Sequence, residues 1–216
     1  CILAVAAGAL AVRLPQLDRR PVHADEANQA VKTGDLWETG AYEYDPDEHH
    51  GPTLYWLTLP SLWLSGAGDF AGTSEAQYRI VPVLFGAGLI VLLVLVADGL
   101  GRPAAVLAGI FAAVSPAMVY FSRYYIQETL LVFFTFAAIA CGWRYVRSRW
   151  AGWAVAAGAL VGLMHATKET WVLAAAAAVA GLALSIAWTR LRDGTVPSLR
   201  AYLRPGPMLA GIAAAC

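Results

Sequence analysis

The sequence predicts an all-α polytopic membrane protein, a bundle of transmembrane helices, and three observations carry that prediction. The 216-residue chain is 59% hydrophobic and 14% charged, with a mean hydropathy of +0.57. A soluble domain averages about 45–50% apolar and about 25% charged. The apolar residues gather into runs of about 17–20, enough to cross a bilayer core of roughly 30 Å as helix. Finally, the charges segregate between the two sides that alternating crossings define.

Taken in order, residues 1–12 are an apolar run closed by Arg13 and Pro15, the C-terminal part of a first spanning helix. Residues 15–78 are polar, aromatic and acidic, a long first external loop. Runs at 80–97, 104–121, 127–143 and 171–188 are each long enough to span; 151–165 is apolar but short, and a last helix begins near Pro207. The total is about seven segments, helical because lipid offers backbone groups no other partner. The chain opens at Cys1 without Met and closes in LAGIAAAC, so it reads as a fragment, residues 1–216 of a transmembrane domain cut inside helices at both ends.

The basic loops orient the bundle. RYVRSR (144–149), the stretch 189–204 and the turn 98–103 fall on one side, which is cytoplasmic by the positive-inside rule. Of the fifteen acids, all but Asp98 and Asp193 fall on the opposite, external face. Fifteen basic residues cancel the fifteen acids, so net charge names no partner, and no nucleic acid is expected. Cys1, Cys141 and Cys216 form no CxxC or Cys/His spacing, so neither a disulfide framework nor a zinc cluster is expected.

Four polar clusters share the external face. In HADEANQA, Asp25 precedes a short helix ended by Gly34 and would cap it. Capping leaves the adjacent Glu26 unexplained, and the pair also suits a general base with a supporting acid, or a metal site. In YDPDEHHGPTLYW, His49, His50, Gly51 and Pro52 make a turn before an interfacial segment, 53–64, that Tyr55, Trp56 and Trp63 would anchor. In SRYYIQE, Arg123 is flanked by Tyr120, Tyr124 and Tyr125, and Glu128 opens an apolar run where an acid needs a partner. A snorkelling Arg in an aromatic belt is the plainer account of this cluster. In MHATKET, Lys168 and Glu169 are sequence neighbours that point about 100° apart on a helix, so each reaches another group. Thr167, helped by Thr170, would cap there. Ser74 and Gln77 form a capping box for the next helix, and Glu75 carries no chemistry.

Carboxylates on this face can take a proton from an acceptor hydroxyl. Arg123, Lys168 and the histidines can hold an anionic phosphate, and a groove between helices suits a polyprenyl tail. A soluble nucleotide sugar would lie on the wrong side of the membrane.

The order of these motifs resembles the membrane-embedded GT-C glycosyltransferases, nearest to the protein O-mannosyltransferase and aminoarabinose transferase branches. Asp25 and Glu26 match the acidic pair of their first external loop, HHGPTL their His-Pro-Pro-Leu turn, and SRYYIQE their Ser-Arg-Tyr stretch. Thr53 stands where the second Pro of the turn would be, and Glu128 replaces an Asp. HADEA, YDPDEHHGPTLYW, SRYYIQE and ATKET together resemble the flippase-activity-associated GT-C-like proteins over nearly the whole chain. The resemblance implies a GT-C-type helix bundle in the cell membrane whose external face moves a sugar, as a mannosyltransferase does in protein glycosylation, from a polyprenyl-phosphate donor.

The expectation is therefore an inverting hexosyltransferase with Asp25 and Glu26 as its acids and Arg123, Lys168, His50, His49, Tyr124 and Tyr125 around the donor phosphate and lipid. Glu128 and Glu169 support them. Asp25, Glu26 and His49 are the residues that would hold a divalent metal if one is used. The acceptor is a protein, a lipid or a glycan. A non-catalytic role in flipping or assembling lipid-linked sugars is the alternative. An ion-coupled transporter fits less well, because such sites lie near the bilayer midplane.

Overall fold

The computed structural model describes residues 1–44 and 50–193, and among them every regular element is helical. Helix α1 is Ile2–Arg13, α2 is Ala24–Thr39 and α3 is Thr53–Ser65. A short 3-10 turn, Phe70–Gly72, leads to α4 at Glu75–Leu92. The expected box opens α4, with the Ser74 N–H donating to Gln77 Oε1 at 2.6 Å. The chain then tightens to 3-10 over Leu93–Val96 and resumes as α5, Ala97–Leu100. Next come α6 (Arg102–Val114), α7 (Pro116–Phe121), α8 (Glu128–Ser148), α9 (Ala151–His165) and α10 (Trp171–Asp193). Among the described residues three stretches, Glu75–Leu100, Glu128–Ser148 and Trp171–Arg192, are long and apolar enough to cross a membrane. The expected last helix near Pro207 lies outside the described residues.

Three expectations are corrected. The short helix expected after Asp25 is α2, and it does not stop at Gly34. It runs on to Thr39, where Gly40 takes the left-handed conformation at φ 70°. Gly34 serves packing instead, because a Cβ there would come within 2.5 Å of the Phe70 ring. Tyr55 is no interfacial anchor: it is fully buried in the core, while Trp56 and Trp63 on the same helix are exposed.

The run 104–121 is not one helix. Ser115 adopts φ −57°, ψ 123°, as expected of a residue whose helical conformation is blocked by the following proline, Pro116. The break leaves helix-end carbonyls without intrahelical donors. Arg13, wholly buried, supplies them: its guanidinium donates to the Ala112 and Ala113 carbonyls at 2.9 Å each, and its Nε donates to Ser122 Oγ at 2.8 Å. Gly86 of α4 lets Ser122 approach, since a Cβ there would meet the Ser122 side chain at 2.5 Å.

The main core lies where α2, α3, α4, α8 and α9 meet, built on Leu36, Leu54, Leu62, Tyr78, Leu130 and Met164. At one end of the bundle Asp98 accepts from Trp143 Nε1 at 2.8 Å and pairs with Arg144 and Arg147. The polar clusters gather at the other. Gly51 packs so closely on the 166–167 backbone that a Cβ would collide with the Ala166 carbonyl, and Thr53 N–H donates to that carbonyl at 3.3 Å.

Candidate functional site

Asp25 and Glu26 are neighbours at the start of α2, but they do different work. The N-cap is His23, not Asp25: its ring Nδ1 accepts the Asp25 N–H at 3.3 Å, while Glu26 accepts the His23 N–H at 3.3 Å, completing a reciprocal box. Asp25 lies past the cap, so its carboxylate is free of that duty. Consecutive residues on a helix point about 100° apart, and here one faces the core and the other the rim.

Glu26 is the core-facing one, 2% exposed. Arg79 grips it with two parallel bonds, Nε to Oε1 and a terminal N–H to Oε2, both at 2.8 Å. Arg20 adds an ion pair at 2.9 Å, and the Tyr125 N–H donates at 2.9 Å. Arg79 also donates to the Leu17 and Arg20 carbonyls at 2.6 and 2.9 Å. One carboxylate and one guanidinium thus tie together the 17–21 connection, α2, α4 and the 122–127 connection. Burial pushes the Glu26 carboxyl up, but the Arg79 hydrogen bond and charge and the Tyr125 N–H outweigh it and hold the group below its ordinary value.

A depressed folded-state pKa means stability that is present above the ordinary value of 4.5 and lost as pH falls through the folded one. Thermal unfolding in detergent is therefore expected to be insensitive to pH from neutrality to about 4.5 and to weaken below it. The Glu26→Gln variant is expected to lose part of that acid dependence; an unchanged acid limb rejects the assignment.

Asp25 is the rim-facing acid, its side chain 65% exposed. The Tyr124 hydroxyl donates to Oδ2 at 3.3 Å, and the His23 ring nitrogen stands 3.4 Å from the same oxygen. Burial, then the Asp25 charge, pushes the Tyr124 hydroxyl up to about 12, so it stays protonated and donates. The Arg20 guanidinium lies over the rings of Tyr124 and Tyr120, at 4.8 and 5.2 Å from their centroids.

Behind this stack is a cavity of about 410 Å³ between α1, α6 and α7. Arg20, Arg79 and Arg123 line it together with Tyr120, and Val12, Val114 and Val119 supply apolar walls. Arg123 is held by donating to the Pro15 carbonyl at 2.7 Å and the Gln16 carbonyl at 3.2 Å. Three cations against one buried carboxylate leave this corner positive, and the combination suits an anionic head on a hydrocarbon chain.

The remaining expected residues lie elsewhere. Tyr125 does not face a ligand: it is 1% exposed, its backbone serves Glu26, and its hydroxyl is shared with Thr33 and Thr58 in the core. Lys168 does not join Arg123; it donates to Glu128 Oε1, which gives Glu128 the partner it needed. Glu169 pairs with His50 Nδ1 at 2.9 Å, so these sequence neighbours do satisfy separate groups. Thr167 bonds back to the Leu163 carbonyl at 2.6 Å and accepts from Thr53 at 2.7 Å, which is a clamp between loops and not a cap. These ion pairs form a second polar cluster around the 50–53 and 166–169 turns.

The structure therefore assembles Asp25, Tyr124 and Arg123 around Arg20, and sets His50, Lys168, Glu128 and Glu169 apart. His49 lies outside the described residues. The metal expectation loses Glu26, whose oxygens are committed to guanidinium and N–H donors. Among the described residues no group of three His, Cys, Asp or Glu could hold a metal ion. Sequence reasoning missed Arg20 and Arg79. Arg79 sits one turn into a helix already accounted for by its capping box; the signal available was a cation at the start of an otherwise apolar span, which needs a carboxylate.

No curated protein matches the chain. The sequence pattern of the dolichyl-phosphate-mannose-protein mannosyltransferases matches residues 56–212, from α3 onward. Asp25, Glu26 and Arg20 precede the matched span, while Arg79, Arg123, Glu128 and Lys168 lie within it. The match extends over more than half of the chain, and the described residues are all-helical with three membrane-length helices among them: the chain belongs to the dolichyl-phosphate-mannose-protein mannosyltransferase family, membrane glycosyltransferases of the GT-C superfamily.

Proposed function

We propose that this chain transfers a sugar from a polyprenyl-phosphate donor to an acceptor hydroxyl at the external face of the cell membrane, with inversion at the sugar. The observation that carries the reading is the run of contacts from a rim carboxylate, Asp25, through Tyr124 to Arg20, which with Arg123 and several apolar side chains lines a cavity. Asp25 takes the proton of the acceptor hydroxyl as its oxygen bonds to the sugar C1. The bond from C1 to the donor phosphate breaks, and the lipid phosphate leaves with that electron pair. Arg20 and Arg123 are placed to neutralise the charge it gains, the interaction most valuable at the transition state. Glu26 orients this arrangement through Arg79 and Arg20 without touching the reacting atoms. Arg144 and Arg147 of the 144–149 stretch, paired with Asp98 at the opposite end, support the external placement.

The test supplies the full chain, in lipid, with labelled polyprenyl-phosphate mannose or with nucleotide-linked mannose, and measures label transferred to membrane acceptors. Transfer is expected from the lipid donor alone. Transfer from the nucleotide sugar, or from neither, overturns the reading; donor binding without transfer favours the accessory role in lipid-linked sugar assembly.

A further inference from the structure

We infer that Tyr124 is a positioning residue for this reaction, holding the Asp25 carboxylate in line and not the donor phosphate. The inference rests on the reading of Asp25 as the base. Two groups stand at hydrogen-bond range of that carboxylate among the described residues, His23 and Tyr124. His23 Nδ1 already accepts the Asp25 N–H. In that tautomer it carries no proton to give Oδ2, and the Tyr124 hydroxyl is the donor that remains.

The tyrosine is itself fixed on its other sides. His23 meets its ring edge-on at 5.8 Å, Tyr120 stacks on it at 5.8 Å, and the Arg20 guanidinium lies over it at 4.8 Å. A ring clamped by three neighbours aims its hydroxyl in one direction, which is what holding an exposed carboxylate requires. Arg20 and Tyr120 line the cationic cavity and Tyr124 does not, while its hydroxyl is engaged with Asp25.

Tyr124→Phe keeps the ring and its stack while removing the one donor. Losing a hydrogen bond to a charged group is expected to lower kcat about tenfold, with the donor KM and the unfolding temperature unchanged. Because Tyr124 acts through Asp25, adding Tyr124→Phe to Asp25→Asn is expected to lower transfer no further. An unchanged kcat, a raised KM with kcat intact, a lowered unfolding temperature or an independent further loss in the double variant each overturns the inference. If Asp25→Asn alone leaves transfer intact, the base reading has failed; if it abolishes transfer while Tyr124→Phe is unaffected, only the positioning role has.

Discussion

Asp25→Asn is expected to lower sugar transfer by about 100-fold or more while leaving donor binding in place. The substitution keeps the shape of the side chain and an oxygen for the Tyr124 hydroxyl, and removes the charge that draws a proton from the acceptor. Asp25 stands at the rim, its side chain 65% exposed, so no buried partner is orphaned and the fold survives. The measurement is paired: initial rate of transfer from labelled lipid donor, and equilibrium binding of the same donor. A rate within a few-fold of the unmodified protein rejects the base assignment, as does a loss of transfer fully explained by lost binding.

Arg79→Met is expected to be the most destabilising single change at this end of the bundle. It leaves the Glu26 carboxylate buried without its bidentate partner and removes the donor to the Leu17 and Arg20 carbonyls. Breaking one side of a buried pair costs about 3–5 kcal/mol, or a fall of roughly 10 °C in unfolding temperature for a chain of this size. Replacing both partners, Glu26→Leu with Arg79→Met, is expected to recover much of the loss, since the two buried charges go together and the remaining cation, Arg20, is partly exposed. A single variant that unfolds within a degree or two of the unmodified protein would show that the pair is dispensable.

The contrast between these two substitutions marks where sequence reading reached and where it stopped. Apolar runs such as 80–97 and 127–143 have one solution in lipid, so α4 and α8 are legible from hydropathy alone. The acids Asp25 and Glu26 are equally visible, but their division of labour is not. Two carboxylates in succession look like a pair in a string of letters, whereas a helical turn sends them to opposite environments. The partner that separates them, Arg79, lies more than fifty residues on, just past a capping box that accounts for the helix start and not for the cation. Lys168 illustrates the reverse error. It shares a face of the membrane with Arg123, and proximity to the same face suggested a shared ligand; instead, Glu128 claims it. Charge segregation reports the side of a membrane, but pairing is decided over a few ångströms by loops such as the Gly51–Ala166 contact.

Arg13 has a consequence for the shape of the whole bundle. Irregular backbone at membrane depth survives only where protein, and not lipid, satisfies it. By plugging the exposed carbonyls at the end of α6, this side chain lets the polypeptide turn a corner inside the bundle. Pro116, Val119 and Tyr120, which follow the corner, are wall residues of the cationic cavity. A straight rod from 104 to 121 would carry them along the axis of α6. The hollow that Arg20 and Arg123 line is, in this sense, the space a hinge-like bend leaves open, with a single arginine, Arg13, as its pin.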